Sequence, residues 1–330
     1  MAMTRMVKGR PERLHRSELA VPATSERFFA KAAASAADVV FLDLEDAVAP
    51  ARKAEARAGA VRALTEIDWG TKTLALRINA LDTPWALRDV LDVVPAAPRL
   101  DLVLLPKAGS AFDVRFVEQL LILIEREHGR SKRVGIEVLI ETAKGVGHAE
   151  EIAAASDRLE AMIFGVGDYT VDMRTFDPVF GAPSARYAVM TPPGEDGRRE
   201  RHWNDQWHFA MARVANACRA NGLRPIDGPF TDFGDPDGYR ASAQRAAALG
   251  FEGKWAIHPS QIDLANEVFS PSAEQVVWAS KVTEAIGRAV AEGNGAVGVE
   301  GVLVDMAHAK QAEAILRRAE AVASVREQGG

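Results

Sequence analysis

The sequence predicts an α/β protein built as a TIM (β/α)8 barrel with a C-terminal helical extension. Three observations lead to this fold: eight short apolar runs recur along the chain, helix-like segments separate them, and polar residues follow the runs at one end. Eight β-then-α units are the number that closes such a barrel. A doubly wound open sheet is the alternative, but it usually has fewer strands, and no G-x-G-x-x-G motif follows the first run.

The eight runs are mostly apolar enough to be buried on both faces, as parallel strands are. In chain order they are ELAVPA (18–23), VVFLDLE (39–45), TLALRIN (73–79), LDLVLLP (100–106), VGIEVLIE (134–141), EAMIFGVGD (160–168), RPIDGPF (224–230) and GKWAIHP (253–259). Pro50 marks a helix start after the second run. Ser110 and Gly129 are the candidate cap and stop of the helix after the fourth run.

The barrel occupies residues 1–270 in this interpretation, and residues 271–330 form the C-terminal extension. The extension contains a helix over 271–292, a Gly-rich turn, the short strand VLVD and a final helix, and we expect it to reach a neighbouring subunit. Residues 169–202, which are rich in Pro, Gly and Arg, connect the sixth strand to the next helix. A connection of this length is typical of a functional loop, so we predict a lid over the site.

The composition is that of an ordinary globular protein, with 48% hydrophobic residues, 26% charged residues and a net charge of −6. No basic stripe predicts nucleic-acid binding, and no apolar run reaches the roughly 18 residues of a membrane span. Cys218 is the only cysteine, which excludes an intramolecular disulfide, and its place on an apolar helix face predicts a core residue. With no signal peptide either, these features favour a cytoplasmic protein.

The second apolar run ends in three acids, Asp43, Glu45 and Asp46. Because isolated buried charge is costly, we expect these carboxylates at the rim of the barrel, where cations can meet them. The other strands also become polar at their carboxyl ends, which is where TIM barrels hold their active sites. The residues at those ends are Arg77, Asn79, Lys107, Glu141, Asp168, Asp227 and His258.

Glu141 and Asp168 follow neighbouring strands and are the candidate metal ligands. Mg²⁺ prefers oxygen ligands and usually takes one or two protein carboxylates, while water and substrate fill the other positions. The FGVG sequence before Asp168 contains glycines that allow close backbone approach. No H-x-H or C-x-x-C pattern indicates zinc. The sequence therefore predicts a Mg²⁺ site, with Mn²⁺ as a substitute.

Arg77 is the candidate partner of this metal, because its planar guanidinium can hold an oxyanion or a carboxylate with two hydrogen bonds. Glu45 and Asp46 are predicted to orient Arg77 and metal-bound water, and a plain salt bridge to Arg77 is the alternative. The helix that begins near ATSERFFAKAA offers its amide end as an anion site for a phosphate-bearing substrate. Three basic residues lie close to it in sequence: Arg16, Arg27 and Lys31.

Six segments carry a resemblance to a known family: RSELAVPA, VVFLDLEDAVAP, LRINALDTPW, LVLLPKAG, RPIDGPFTDFGDPDGYR and GKWAIHPSQIDLANEVFSPS. In these segments the chain resembles the malyl-CoA and β-methylmalyl-CoA lyases, which are citrate-lyase-β-subunit-like aldolases of the HpcH/HpaI type. The resemblance runs in register from about Arg16 to the final helix. It implies a TIM barrel with a C-terminal extension, Mg²⁺, and homotrimers or homohexamers. It also implies reversible cleavage of malyl-CoA to acetyl-CoA and glyoxylate, and of β-methylmalyl-CoA to propionyl-CoA and glyoxylate.

The resemblance also implies roles for individual residues. Glu141 and Asp168 match the metal ligands, and Arg77 matches the arginine that polarises the thioester carbonyl. Asp305, in VLVDMA, matches an aspartate that a neighbouring subunit places over the site as the proton-transfer group. The residues that match contacts with CoA are Arg16, Arg27, Lys31, Ile257 and His258.

Two stretches depart from the family pattern. The first loop reads VPATSER, without the usual Gly after Pro, and DYTVDMRTFDPVFG replaces a stretch of small residues after Asp168. Asp172, Arg174 and Asp177 are therefore expected to add charge beside the pocket. Three functions remain open at this point: a carbon–carbon lyase, a malyl-CoA thioesterase on the same fold, and a non-catalytic CoA-binding subunit.

Overall fold

The structure of the chain, a computed structural model, describes residues 10–328, with side chains through residue 325. It divides into two compact units, one that ends at Asn266 and one that begins at Glu267. The first nine and last two residues of the predicted domains lie outside the described residues. Among the helices that the structure describes, none is both long enough and apolar enough to cross a membrane.

Eight parallel strands of the first unit close into a barrel, which confirms the predicted fold class. In chain order the strands of the protein are β1 (Ser17–Pro22), β2 (Val39–Asp43), β3 (Thr73–Arg77), β4 (Leu102–Leu105), β5 (Gly135–Ile140), β6 (Leu159–Phe164), β7 (Ala188–Met190), β8 (Arg201–Trp203), β9 (Arg224–Asp227), β10 (Gly253–Ala256), β11 (Ala296–Val299) and β12 (Val302–Asp305). The order around the barrel is β1-β10-β9-β6-β5-β4-β3-β2. Each predicted apolar run contains one of these barrel strands or most of it.

The helices lie mainly between the barrel strands, as expected for (β/α) units. They are α1 (Phe29–Ala33), α2 (Lys53–Glu66), α3 (Ala86–Val93), α4 (Ala111–Glu127), α5 (Ala143–Gly147), α6 (Ala149–Ala153), α7 (Val166–Asp172), α8 (His208–Ala220), α9 (Pro236–Ala248), α10 (Ile262–Val268), α11 (Ala273–Ala291) and α12 (Met306–Gln328). Pro50 begins a 3₁₀ turn directly before α2. Ser110 is the N-cap residue of α4, and Gly129 follows the helix with φ +60°, where a glycine is least strained.

The barrel interior is filled by apolar side chains from all eight strands. Phe41 and Trp255 form its aromatic part, with ring centroids 4.5 Å apart. Leu104, Leu139 and Ile163 are fully buried in the same cluster. Cys218 is also fully buried, as predicted, and burial raises the pKa of its thiol. The interior is therefore a packed core, and a ligand has room only at the ends of the strands.

Two segments differ from their predicted form. In the sixth apolar run the strand ends at Phe164, and residues 166–172 form the helix α7. The sequence does not mark this boundary, because the apolar pattern continues from the buried strand into the partly buried helix. The connection predicted as loop contains an antiparallel hairpin of β7 and β8.

The second unit contains the predicted helix, short strand and final helix. The Gly-rich segment predicted as a turn also contributes a strand, because β11 pairs antiparallel with β12. Helix α11 begins with a capping box in which the Ser272 and Gln275 side chains and backbone amides bond reciprocally. Val282, Ile286 and Val304 belong to a separate apolar cluster within this unit.

Candidate active site

A cavity of about 570 Å³ opens at the carboxyl ends of the barrel strands. Its floor is the apolar top of the barrel core, and its rim carries charged side chains from the ends of several strands. Among the residues that line it are Asp43, Asp46, Arg77, Glu141, Asp168 and Ile257. The structure therefore brings both predicted metal ligands and the predicted catalytic arginine into one cavity.

Arg77 is held by Asp43 more firmly than by any other residue. Asp43 ends β2, Arg77 ends β3, and the two are direct partners in the strand register. Arg77 Nε donates to Asp43 Oδ1 at 2.7 Å and Nη2 donates to Oδ2 at 2.6 Å, which is a bidentate pair. The guanidinium also lies over the Trp255 ring, 5.5 Å from its centroid. The guanidinium plane is thus fixed from two sides.

Asp43 is a site residue that the sequence interpretation left without a role. Burial alone would raise its pKa, but the Arg77 charge and hydrogen bonds from Arg77 and from the amides of Glu45 and Ala47 outweigh burial and lower it. Burial by itself would lower the pKa of Arg77, and Asp43 outweighs this and raises it. Both groups are therefore charged at every physiological pH. The signal that could have found Asp43 is its position at the end of the strand next to Arg77.

Glu45 and Asp46 lie on the other edge of the Arg77 guanidinium. Arg77 Nη1 is 3.2 Å from a carboxylate oxygen of each acid. The contact with Asp46 is a hydrogen bond, whereas the contact with Glu45 Oε2 has only the distance of an ion pair and lacks hydrogen-bond geometry. The two acids thus touch Arg77 as predicted for orienting residues, but they are secondary to Asp43.

Lys107 connects Glu45 to the predicted metal ligands. Its Nζ donates to Glu45 Oε1 at 2.7 Å and lies 4.0 Å from Asp168 Oδ1. Its backbone amide donates to Glu141 Oε1 at 2.8 Å. The residue has φ +51°, an uncommon conformation for a side chain other than glycine, and such strain is concentrated at functional sites. Lys107 therefore orients Glu45 through its side chain and Glu141 through its backbone amide.

Glu141 is packed tightly against the chain just before α7. A Cβ atom at Gly165 would lie 2.5 Å from Cβ and from Oε2 of Glu141. Only glycine therefore fits at position 165, which agrees with the predicted close backbone approach. Asp168 lies in the first turn of α7, half-exposed at the cavity.

The charge distribution at Glu141 fits a bound divalent cation. Burial, followed by the charges of Asp168 and Glu45, raises the pKa of Glu141 to about 8. Burial raises the pKa of Glu45 to about 7. Carboxylates crowded in this way repel each other, and a cation between Glu141 and Asp168 would remove that cost. Mg²⁺ prefers carboxylate oxygen ligands of this kind.

We predict that Mg²⁺ binding weakens as the pH falls. Glu141 is mostly protonated below its pKa of about 8 in the metal-free protein, and a carboxylate ligand must lose its proton to bind metal. The dissociation constant should therefore rise about tenfold from pH 9 to pH 7. Calorimetric Mg²⁺ titrations in buffers of different ionisation enthalpy would measure both the constant and the proton released.

The variant Glu45→Gln provides the control for this titration. It removes one of the charges that raise the pKa of Glu141, so the pH dependence should move to lower pH. A dissociation constant that is equal at pH 7 and pH 9 in the unmodified protein would contradict the prediction.

Four of the predicted CoA contacts lie at the carboxyl end of the barrel. Ile257 lines the cavity, and the neighbouring His258 ring stacks on the exposed Phe233 ring at 4.9 Å and 18°. Arg27 and Lys31 follow β1 and are both exposed. Helix α1 has only five residues, because a 3₁₀ turn over Glu26–Phe28 precedes it, so the expected helical anion site is not formed.

The assignment of Arg16 to a phosphate contact is wrong. Arg16 precedes β1 and so lies at the amino end of the barrel, opposite the cavity. Its side chain is buried and makes a bidentate pair with Asp38, at 2.8 Å from Nε and 2.7 Å from Nη2. A residue that locks the amino ends of two strands together cannot also reach a ligand at their carboxyl ends.

The connection after α7 folds back against the barrel mouth at Phe180. The Phe180 amide donates to Thr231 Oγ1 at 2.9 Å, and the Thr231 amide donates to the Phe180 carbonyl at 3.0 Å. Both residues line the cavity. The charged residues expected beside the pocket do not line it, since Asp172 accepts the Ala143 amide hydrogen and Asp177 accepts the Ser184 hydroxyl. Apolar Phe180 and Val171 face the cavity instead.

Asp305 lies at the junction of β12 and α12 in the second unit. Its Oδ1 accepts the amide hydrogen of Ala307 at 3.0 Å and is 2.8 Å from His308 Nδ1. Hydrogen bonds from His308 and Ala307 lower the pKa of Asp305, which is exposed and ionised at neutral pH. Within its own chain the residue acts as a helix cap.

A sequence profile of the HpcH/HpaI aldolase/citrate lyase family matches residues 16–259. The chain belongs to this family. The L-malyl-CoA/beta-methylmalyl-CoA lyase of Cereibacter sphaeroides is 48% identical over 315 residues, which cover 95% of this chain and 97% of that protein. The malyl-CoA/beta-methylmalyl-CoA/citramalyl-CoA lyase of Chloroflexus aurantiacus is 35% identical, over 87% of this chain and 82% of that protein.

A solved structure of a similar protein supports the fold. The CitE protein of Mycobacterium tuberculosis, in complex with magnesium, acetoacetate and coenzyme A, is 33% identical. The match covers 92% of this chain and 97% of that chain, with a TM-score of 0.67. The predicted resemblance is thus confirmed, and so is the prediction that the chain is a carbon–carbon lyase.

Proposed function

We propose that the protein is a Mg²⁺-dependent lyase that cleaves malyl-CoA to acetyl-CoA and glyoxylate, or β-methylmalyl-CoA to propionyl-CoA and glyoxylate. The observation that supports the proposal is the arrangement of charged side chains around one cavity. A rigidly held guanidinium, that of Arg77, faces the same space as the carboxylates of Glu141 and Asp168. The cavity floor of Phe41, Leu139 and Trp255 is apolar, which strengthens electrostatic interactions above it.

Arg77 is placed to stabilise the charge that this reaction creates. Breaking the carbon–carbon bond leaves the electron pair on the acyl-CoA half, where it is delocalised onto the thioester oxygen. Three of the five N–H groups of Arg77 are used by Asp43 and Asp46, which leaves donors on its terminal nitrogens for that oxygen. Because Asp43 fixes the guanidinium before the substrate arrives, no reorganisation is needed during the reaction.

Glu141 and Asp168 would hold the Mg²⁺ ion, and Lys107 would orient Glu141 through its amide. When bound, Mg²⁺ supplies a Lewis acid that polarises and orients the oxygens of the glyoxylate half. Glu45 and Asp46 keep Arg77 and Lys107 in place at the edge of this site. Arg27, Lys31, Ile257 and His258 are the proposed CoA contacts, two cationic and two at the cavity edge.

Asp305 of a neighbouring subunit is the proposed proton-transfer group. In the cleavage direction the malyl hydroxyl group would lose its proton to solvent, and Asp305, after taking up a proton, would give it to the carbon that becomes the methyl or methylene group of the acyl-CoA. In the condensation direction it would remove that proton. The ionised state of Asp305 suits proton removal in the condensation direction, because a general base must be unprotonated.

A product assay with malyl-CoA and β-methylmalyl-CoA tests this proposal. The lyase forms glyoxylate and an acyl-CoA, whereas a thioesterase on the same fold forms free CoA and a dicarboxylic acid. Glyoxylate formed in step with acetyl-CoA or propionyl-CoA is the expected result. Free CoA without glyoxylate would assign the thioesterase reaction, and binding without turnover would indicate a CoA-binding subunit.

We predict that Arg77→Lys is nearly as damaging as Arg77→Ala. Lysine keeps the positive charge but cannot form the two parallel hydrogen bonds that Asp43 makes with the guanidinium. Losing one preorganised donor to an oxyanion typically lowers turnover about 10²–10³-fold. Steady-state kinetics of both variants give the comparison.

Arg57→Lys is the matched control for this substitution. Arg57 pairs with Asp89 at 3.2 Å between the helices α2 and α3, away from the cavity, so its replacement should leave turnover unchanged. An Arg77→Lys variant with activity within threefold of the unmodified protein would show that only the charge at position 77 matters.

A further inference from the structure

A second group of potential metal ligands lies at the amino end of the barrel. His15, Glu18 and Glu137 are each fully buried, and one ligand atom from each lies within 4.8 Å of the others. His15 Nδ1 is 2.7 Å from Glu18 Oε1 and 3.2 Å from Glu137 Oε1. The group is separate from the cavity, which lies at the carboxyl ends of the same strands.

Three different parts of the chain meet at this group. Glu18 is the second residue of β1 and Glu137 the third residue of β5, and the two strands stand opposite each other across the closed barrel. His15 comes from the segment before β1, which covers the amino end of the barrel. Arg13 from the same segment bonds to Glu160 of β6 and to Asp101. A ligand held by the three residues would therefore join the barrel's opposite sides to its covering segment.

Glu137 has no hydrogen-bond donor for either of its carboxylate oxygens among the described residues. His15 Nδ1 is near Oε1, but this nitrogen is engaged with Glu18. Glu18 is better satisfied, because the Trp255 indole N–H donates to its Oε2 at 2.9 Å. A carboxylate with two bare oxygens inside a barrel is costly unless a cation or a proton occupies the space beside it.

The nearby arginines do not relieve this cost by direct contact. Arg13 and Arg224 both donate to Glu160 Oε2, at 3.1 and 2.8 Å. Burial and the charge of Glu137 raise the pKa of Glu18, and burial raises the pKa of Glu137 to about 8. Both carboxylates are fully buried and lie beside one imidazole nitrogen, at 2.7 and 3.2 Å, so a cation bound at that nitrogen would contact both.

We propose that His15, Glu18 and Glu137 bind a divalent transition-metal ion, of the Zn²⁺ type, as a structural site that ties the covering segment to β1 and β5. An imidazole nitrogen with two carboxylates favours such an ion over Mg²⁺ or Ca²⁺, which take oxygen ligands alone. One 2+ ion also neutralises two carboxylates beside a neutral histidine. The spacing H-x-x-E, which runs from the covering segment into β1, combined with a distant glutamate, is not a zinc motif that sequence patterns would reveal.

The present distances are close to those that such an ion requires. Zn–N and Zn–O bonds of about 2.0–2.2 Å place tetrahedral ligand atoms roughly 3.3–3.5 Å apart. The separation of His15 Nδ1 from Glu137 Oε1 already nearly matches this value, at 3.2 Å. The separation from Glu18 Oε1, 2.7 Å, is that of a hydrogen bond and must widen by about 0.6 Å when metal replaces the shared proton.

Metal content of the whole protein tests the proposal. Protein produced in medium supplied with Zn²⁺ or Co²⁺ and dialysed against Mg²⁺ should retain about one transition-metal ion per chain. Glu137→Gln, which keeps the shape of the side chain, and His15→Gln should each lose this ion. The matched control is Glu141→Gln, which removes a ligand of the proposed Mg²⁺ site and should retain the ion. Bound Co²⁺ should show its visible absorption in the unmodified protein and in the control.

Refolding supplies the second readout, because a fully buried ion has to enter as the chain folds. After unfolding with chelator, refolding in Mg²⁺ plus Zn²⁺ should raise the melting temperature by about 5 °C over refolding in Mg²⁺ alone. Glu137→Gln should show no such difference while it retains turnover in Mg²⁺. The proposal is overturned if the unmodified protein retains no ion and shows no temperature shift. In that case, a higher melting temperature of the Glu137→Gln variant would show that the group holds a proton. If both ligand variants fail to fold, the unmodified protein and Glu141→Gln alone decide the question.

Discussion

Replacing Glu141 with Gln is expected to lower kcat/KM about 10³-fold, because the metal contributes several kcal/mol of charge stabilisation and each 1.4 kcal/mol is about tenfold in rate. Gln keeps the packing against Gly165 and can still accept the Lys107 amide hydrogen. It lacks the charge that Mg²⁺ needs. Chelation of the unmodified protein should have the same effect, and added Mg²⁺, or Mn²⁺ as a substitute, should reverse it.

Stability of the same variant separates loss of function from loss of folding. The folded-state pKa of Glu141 lies above its usual value, so its ionised form destabilises the metal-free protein, and this cost grows as pH rises from about 4.5 to about 8. Gln removes the charge, so the metal-free variant should melt above the metal-free unmodified protein at pH 8. A variant that is inactive and less stable would indicate a structural residue instead.

The matched control for the other ligand is on the same helix. Asp168→Asn should reduce turnover as Glu141→Gln does, whereas Asp172→Asn should not. Asp172 is four residues further along α7 and accepts the Ala143 amide hydrogen outside the cavity. Full turnover of the unmodified protein in excess chelator, with metal absence verified by elemental analysis, would refute the metal site as a whole.

The barrel could be predicted from sequence because burial on both faces leaves a strong signal in parallel strands. That signal does not mark where a strand ends. The sixth run stays apolar through Val166, but the hydrogen-bonded strand ends at Phe164 and a helix begins two residues later. Asp168 was therefore expected on a strand and lies on a helix. Its place at the cavity was predicted correctly, since both elements lead to the same end of the barrel.

The sequence did not predict all of the residues that hold the Arg77 side chain in place. Three acids lie within four residues at the end of β2, and the sequence favoured Glu45 and Asp46 as partners of Arg77. Strand register decides otherwise, because Asp43 is the residue directly opposite Arg77 on the neighbouring strand. Register between strands depends on how the barrel closes, which one sequence does not state. The sequence also gives no indication that Lys107 adopts a positive φ.

Arg16 shows that the side of a strand on which a residue lies in sequence decides which end of the barrel it can reach. Ligands of TIM barrels bind at the carboxyl ends of the strands, and Arg16 precedes its strand. Its position in sequence therefore already excluded it from the cavity, whereas Arg27 and Lys31, which follow β1, satisfy the rule. The same reasoning places His15 and Glu18 at the amino end, where the structure brings them to Glu137 across the barrel.

Asp305→Asn is expected to lower turnover about 10²–10⁴-fold, the usual contribution of a proton-transfer group. The structure makes this substitution more informative than alanine. Asp305 accepts the Ala307 amide hydrogen as the cap of α12, and an asparagine oxygen can replace it there. Asp305→Asn should therefore keep the stability of the second unit, whereas Asp305→Ala should lose both the cap and the activity. If Asn restores stability and turnover together, the residue is only a cap.

Subunit mixing then tests whether Asp305 serves its own chain or a neighbour. Chains with Asp305→Asn and chains with Glu141→Gln should each be inactive as homo-oligomers. If the site is shared, dissociating and reassembling them together regenerates sites that pair the Glu141 of one chain with the Asp305 of another. For random assembly of equal amounts, about a quarter of the sites should be intact, because each needs two independent unmodified residues. Mixed oligomers verified by mass spectrometry that show no activity would mean that Asp305 acts within its own chain, since each chain then carries one defect that no partner can repair.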